Sequence, residues 1–187
     1  HRDLHSFPTR RSSDLGRCGQ ATVEFALILP ILLVLMAMLF EMGRYIVVKQ
    51  TAVNLSREAG MLAVRRLDSP SATNFPNVIR AATSIAQPIN LTNDGRIFVG
   101  QVMRRTSDNQ PQIIQYDRFG QLNAPAKVLG AGLGGIAQLP PSVVLQSNQI
   151  LYVVETYLRF VPAMQFAFGN LSSTINETNR VYDASFF

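Results

Sequence analysis

The sequence has no tryptophan, one cysteine and two histidines in 187 residues. Cys18 precedes the long apolar run, and His1 and His5 stand at the very start. From residue 20 onward there is neither His nor Cys. The body of the chain therefore lacks the groups for Cys-His or Ser-His-Asp catalysis, for the common zinc sites, for Cys-ligated clusters and for an internal disulfide. Acids are scarce as well. After residue 60 they are scattered and form no paired motif of the kind that general acid–base chemistry uses. The formal charge is +5, but beyond the first nineteen residues the only basic doublets are Arg65-Arg66 and Arg104-Arg105, and no aromatics interleave with them. That is not the footprint of a nucleic-acid binder. Composition thus leads to expectations of no enzyme, no cofactor, no metal, no nucleic acid and no small-molecule substrate.

What the sequence does have is Gln20 to Phe40, QATVEFALILPILLVLMAMLF. About 21 residues is the length a helix needs to cross a bilayer core of roughly 30 Å. Glu24 is its one charge, and from Phe25 to Phe40 there is no polar face of the sort a soluble core helix keeps. We read it as a single membrane anchor. A cleaved secretory signal fits less well, because the run is too long and no small-x-small site follows it. Pro30 deprives the Ala26 carbonyl of its donor, so the expectation is a mildly kinked but continuous helix. Glu41 and Arg44, one turn apart, fall at the far boundary of the anchor, where they can pair.

Residues 1–15 are polar, aperiodic and similar to translated adapter read-through, and are set aside from fold reasoning. From Gly16 the run GRCGQATVEFALILP resembles the prepilin-peptidase site of type IV pilin-like proteins: a glycine, four residues, then Glu-Phe opening an apolar helix. With F-E-M-G-R-Y and S-R-E-A-G following in order, about Gly19 to Arg66 resembles the TadE-like family, the pseudopilins or minor pilins of the tight-adherence pilus system. Met42 and Gly60 depart from the commoner pattern. The resemblance implies a cut between Gly19 and Gln20, with Glu24 as fifth residue of the mature chain. It also implies an inner-membrane subunit, N-terminus cytoplasmic and head outside. Its partners would be a prepilin peptidase, sibling pseudopilins and pilus-assembly platform proteins. The basic residues alone, Arg17 before the anchor and Arg44 and Lys49 after it, do not set that orientation. For Glu24 two readings stand. It pairs with the new α-amine of Gln20, its own or a neighbour's, and fixes the register between subunits; or it only favours the positive end of the helix dipole.

Beyond the anchor, Tyr45, Val48, Ala52, Leu55, Ala59 and Leu62 recur in three- and four-residue steps. They make a stripe suited to packing on the chain's own head or on sibling subunits. Gly60 weakens that helix by about 1 kcal/mol relative to alanine, and Asp68-Ser69-Pro70 ends it. A short helix is expected at Asn77–Ala86. Strands are expected at Arg96–Arg105, Gln112–Tyr116 and Gln149–Phe160, with a last one within Thr174–Asp183. Gln121–Pro141, rich in Gly, Pro and Ala, reads as a long flexible surface loop. Within it Gly130-Ala-Gly132-Leu-Gly134-Gly135 matches G-x-G-x-x-G in letters, with Glu155 some twenty residues on. Pro140-Pro141 leaves no helix for a pyrophosphate to sit on, so we reject a dinucleotide site. The expected organisation is leader 1–19, anchor 20–43, helix extension 44–67 and head 68–187. The expected fold class is α+β, a long N-terminal helix with a small antiparallel sheet packed on it.

Overall fold

The computed structural model describes residues 13–66, 75–105, 109–163 and 180–187. The chain forms two compact units, His1–Met42 and Gly43–Phe187. One helix, α1 (Ser13–Arg66), contributes to both and runs through Pro30 without a break. The fold is α+β, as expected. The expected end of this helix at 68–70 lies outside the described residues.

Among the described residues of the first unit, none of the apolar side chains is buried. Phe25 is 60% exposed, Leu27 70% and Leu39 70%, and they point to different sides of the helix. A stretch of this length and composition, bare all round, is long and apolar enough to cross a membrane. In water it would expose far more contiguous apolar surface than a monomer tolerates.

The second unit is built on a four-stranded antiparallel sheet. After α2 (Phe75–Ile85) and the single turn α3 (Leu91–Asp94) come β1 (Gly95–Arg104), β2 (Pro111–Phe119), β3 (Ile150–Arg159) and β4 (Arg180–Phe186). The strand order is β2-β1-β3-β4. Asn90 caps α3 through its side-chain oxygen, which accepts from the amides of Thr92 and Asn93, the usual service of an N-cap.

Both faces of the sheet are covered. On one face α1 and α2 supply Ala52, Leu55, Ala59, Ala63, Val78 and Ala82, packed on Ile97, Val99, Val154, Leu158 and Val181. On the other, the 120–145 segment supplies Leu122, Val128, Leu129 and Leu145, packed on Phe98, Val102, Val153 and Tyr157. A strand buried on both sides has no solvent face to mark with polar residues. That is why β1 and β3 lack clean alternation and why Ile97, Phe98 and Val99 are all buried. In β2 a register shift opposite Gln101/Val102 inserts one extra residue, Ile114. A bulge of this kind lets Ile113 and Tyr116 face the same side although their numbers differ by three.

The stripe on α1 packs against the chain's own sheet. Ala52, Leu55 and Ala59 are fully buried, Val48 and Leu62 lie at the margin, and Tyr45 is half-exposed. Ser56, Gly60 and Ala63 are buried beside them, which broadens the stripe beyond the expected positions. Gly60 does more than weaken a helix. A Cβ there would overlap the ring of Phe187, which is held over α1 because its backbone pairs with Tyr152 in both directions, at 2.8 and 3.0 Å.

Candidate functional site

In the first unit, Gly19 and Gln20 lie on α1, exposed, and nothing approaches the place where a Gly19 Cβ would stand. The Gln20 side-chain amide donates to Glu24 Oε1 at 3.0 Å. Four residues is just over one helical turn, so the two residues that the processing motif singles out share a face. Glu41 and Arg44 fall on either side of the break between the units, both half-exposed. The Arg44 guanidinium lies over the Phe160 ring, 5.9 Å from its centroid, and Tyr45 meets the same ring edge-on at 5.5 Å. Phe160, just past β3, thereby joins the start of the second unit's helix to its sheet.

A polar seam runs under α1 where β4 crosses it. Ser56, fully buried, donates to the Asp183 carboxylate and lies 3.0 Å from Ser185 Oγ. Lys49 donates to the Tyr182 carbonyl at 2.7 Å and stands 3.6 Å from Asp183 Oδ1. These polar contacts tie the edge strand to the helix at defined positions, alongside its pairing with β3.

The principal polar site lies on the opposite face of the sheet, and its centre is Glu155. This carboxylate is fully buried. Oε1 accepts from the backbone amides of Val128 at 2.9 Å and Leu129 at 2.7 Å, Oε2 from that of Lys127 at 2.7 Å, and the Tyr182 hydroxyl donates at 3.3 Å. Three convergent N–H groups are a nest for an anion, here filled by the protein's own side chain. A buried charge without such partners costs several kcal/mol. The sequence pattern does not assign this role: by spacing alone Glu155 stands only as the acidic partner of the rejected nucleotide motif. The available signal was an acid inside the apolar run LYVVETYLR, facing a loop that needed fixing.

The loop is accordingly anchored, which corrects the expectation of a flexible one. Gly134 N donates to the Ile113 carbonyl at 2.8 Å, and Ile113 N donates to the Gly135 carbonyl at 2.9 Å. The glycine-rich run is thus stitched to the outer edge of β2, and no helix follows it. Leu129 sits close over the sheet at Gly100, where an added Cβ would come within 2.9 Å of both its Cδ atoms and force that side chain to shift.

Two tyrosines share the Glu155 environment. Tyr157 packs against Tyr182 with ring centroids 4.8 Å apart. Burial, reinforced by the Glu155 charge, pushes the Tyr157 hydroxyl up to about 12, and the same two causes in the same order raise Tyr182 further. Lys127 Nζ lies 4.4 Å from the Tyr182 ring centroid, a close cation–π contact.

Between this loop and β1–β2 opens a half-open cleft of about 480 Å³. Arg96, Phe98, Tyr116 and Arg118 form its sheet wall, and residues 123–126 with Gly130 form the other. Among the described residues no three His, Cys, Asp or Glu come together as metal ligands.

Among the described residues, the architecture and these sites define a protein with one bare apolar helix and a small two-sided α+β head. Residues 19–61 match the family model described as TadE-like protein, in agreement with the resemblance carried by the motifs around Gly19, Glu41 and Arg57. The match takes in the apolar run, Glu24, and the helix as far as Met61. No curated protein and no solved structure matches the chain.

Proposed function

We propose that this chain is a membrane-anchored, pilin-like structural subunit that assists the assembly or initiation of a tight-adherence pilus or its secretion system. The observation that carries the reading is the TadE-like match over residues 19–61, coincident with a helix bare of cover over its apolar length. In this reading the leader ends at Gly19, residues 20–43 sit in the inner membrane, 44–67 continue the helix, and 68–187 form an extracytoplasmic head. Prepilin peptidase removes the leader. Anchors of sibling pseudopilins then pack laterally, with Glu24 setting their axial register and Glu41 and Arg44 marking the outer boundary. Nothing is catalysed by the chain; it is itself the substrate of processing.

The test is co-expression of the intact gene with its cognate peptidase and platform proteins. The expected result is a mature N-terminus at Gln20, co-purification with the platform, and loss of piliation when the gene is deleted. Normal piliation in the deletion strain would refute the assembly role. A second reading, an anchored extracytoplasmic binding domain with no pilus role, draws on the cleft beside Arg96 and Arg118. An active alkaline phosphatase fused after Phe187 is expected under both, and an inactive one would reverse the topology.

A further inference from the structure

We propose that the cleft between the 122–130 loop and strands β1 and β2 binds a carboxylate-bearing sugar ring, as found in acidic polysaccharides. Strand register puts Arg118 directly opposite Phe98, and Tyr116 opposite Gly100. Alternation along β1 adds Arg96 to the same face. Two guanidiniums and a tyrosine therefore converge on one wall. Arg96 is pre-oriented: its Nη1 donates to the Leu122 carbonyl at 3.1 Å and its guanidinium lies 5.3 Å from the Phe98 ring centroid. Arg118 is exposed at the cleft mouth.

The local charge favours an anion. Asp117 pairs with Val99 and so faces the helical side of the sheet. Glu155 lies on the cleft side, opposite Phe98, but its oxygens are occupied by the three loop amides. Paired arginines hold planar carboxylates through bidentate contacts. The opposite wall is made of Asn123 and small residues, 124–126 and Gly130. A cleft of this volume, within the usual range of roughly 300–1,000 Å³ for small-ligand sites and lined by polar and apolar groups alike, suits a ring with several hydroxyls and one carboxylate. The Tyr116 ring supplies an apolar face against which such a ring can lie.

The site deepens the extracytoplasmic reading only in where such a ligand is met; binding is measured on purified protein and is independent of pilus assembly. Full-length protein in detergent is titrated calorimetrically with tri-galacturonate, neutral galactotriose, inorganic phosphate and tri-glutamate, at low and high salt. The expected result is binding of tri-galacturonate alone, weakened by salt, lost about tenfold or more in Arg118→Ala, and only partly retained in Arg118→Lys. Arg80→Ala, which changes an exposed arginine on α2 away from the cleft, is expected to bind as wild type. Failure of tri-galacturonate to bind overturns the proposal, as does equal weakening by Arg80→Ala. Equal binding of phosphate or tri-glutamate overturns the sugar assignment and makes the cleft a general anion or acidic-peptide site.

Discussion

Gly60 offers a test in which the sign of the effect depends on a second residue. On helix propensity alone, Gly60→Ala should stabilise α1 by about 1 kcal/mol. The structure opposes this, because a methyl at position 60 would overlap the Phe187 ring. The ring is half-buried and must leave its seat on the helix. Fully burying a Phe side chain contributes about 1.5–3 kcal/mol, so displacing this one forfeits roughly half of that, and overpacking strain adds about 1 kcal/mol or more. The net expectation is that Gly60→Ala destabilises the second unit by about 1 kcal/mol. For a unit of this size that lowers the Tm by roughly 3 °C. In a Phe187→Ala background the obstruction is gone, and the same Gly60→Ala change should stabilise by about 1 kcal/mol. The coupling in the double-mutant cycle is thus about 2 kcal/mol. The assay is urea unfolding of the full chain in detergent, followed by near-ultraviolet circular dichroism of the tyrosines. Stabilisation by Gly60→Ala in both backgrounds, with coupling below about 0.5 kcal/mol, would refute the claim that glycine is there to seat the ring.

Glu155→Gln leaves one acceptor oxygen and a new NH₂ donor facing the loop amides of Lys127, Val128 and Leu129; a loss of about 2–4 kcal/mol is expected. Hydrogen exchange should show those three amides losing protection first, and unchanged protection would count against the nest. The raised hydroxyls of Tyr157 and Tyr182 keep their protons in the folded chain while unfolded tyrosines release theirs near pH 10, so stability is at its full value below pH 10 and falls as pH rises toward about 12, by at most about 1.4 kcal/mol per pH unit per group. Tyr157→Phe should flatten that fall with little loss at pH 7, because the hydroxyl has no acceptor among the described residues; urea midpoints measured across pH 8 to 12 check both statements, and an unchanged slope would exclude Tyr157 as a contributor. Glu24→Gln should insert and be processed normally yet fail to co-purify with the pilus machinery, and normal piliation at wild-type protein levels would remove the carboxylate from the register.

What could be read in the sequence followed from period and composition. The apolar run needed no partner to be recognised, because its meaning lies in having none. The stripe from Tyr45 to Leu62 was legible because only one side of that helix is buried, and Ala52, Leu55 and Ala59 fall on its centre line. The strand at Gln112–Tyr116 was found too short. Its bulge at Ile114 breaks the alternation, and its outer edge is paired by a loop whose composition says nothing of pairing. Only Arg180–Asp183 of the expected last strand is described as strand, and β4 continues to Phe186; residues 174–179 lie outside the described residues.

The head's second face shows why the rest was hidden. Gln121–Pro141 has the glycine, proline and alanine content of a surface loop, and it is a loop, yet it does the work of a structural layer. Small residues are what allow it to lie flat on the sheet. Gly100 on β1 makes room for Leu129, Ala124 and Ala137 are almost fully buried, and neither position carries bulk that would mark it as core. A segment without helical or strand hydrogen bonds must find other partners for its backbone. Here it finds them in one side chain, Glu155, and in the edge of β2. Neither partner is adjacent in sequence, so no local pattern announces them. The same arrangement accounts for the cleft. Once the loop is pinned at residues 127–129 and again at 134–137, its start at residues 122–126 is held over β1 and β2, with Arg96 tied to Leu122. Two arginines that read in sequence as scattered surface charge are thereby brought to one wall. Strand register converges them, and a buried carboxylate thirty-seven residues from Arg118 keeps the opposing wall in place.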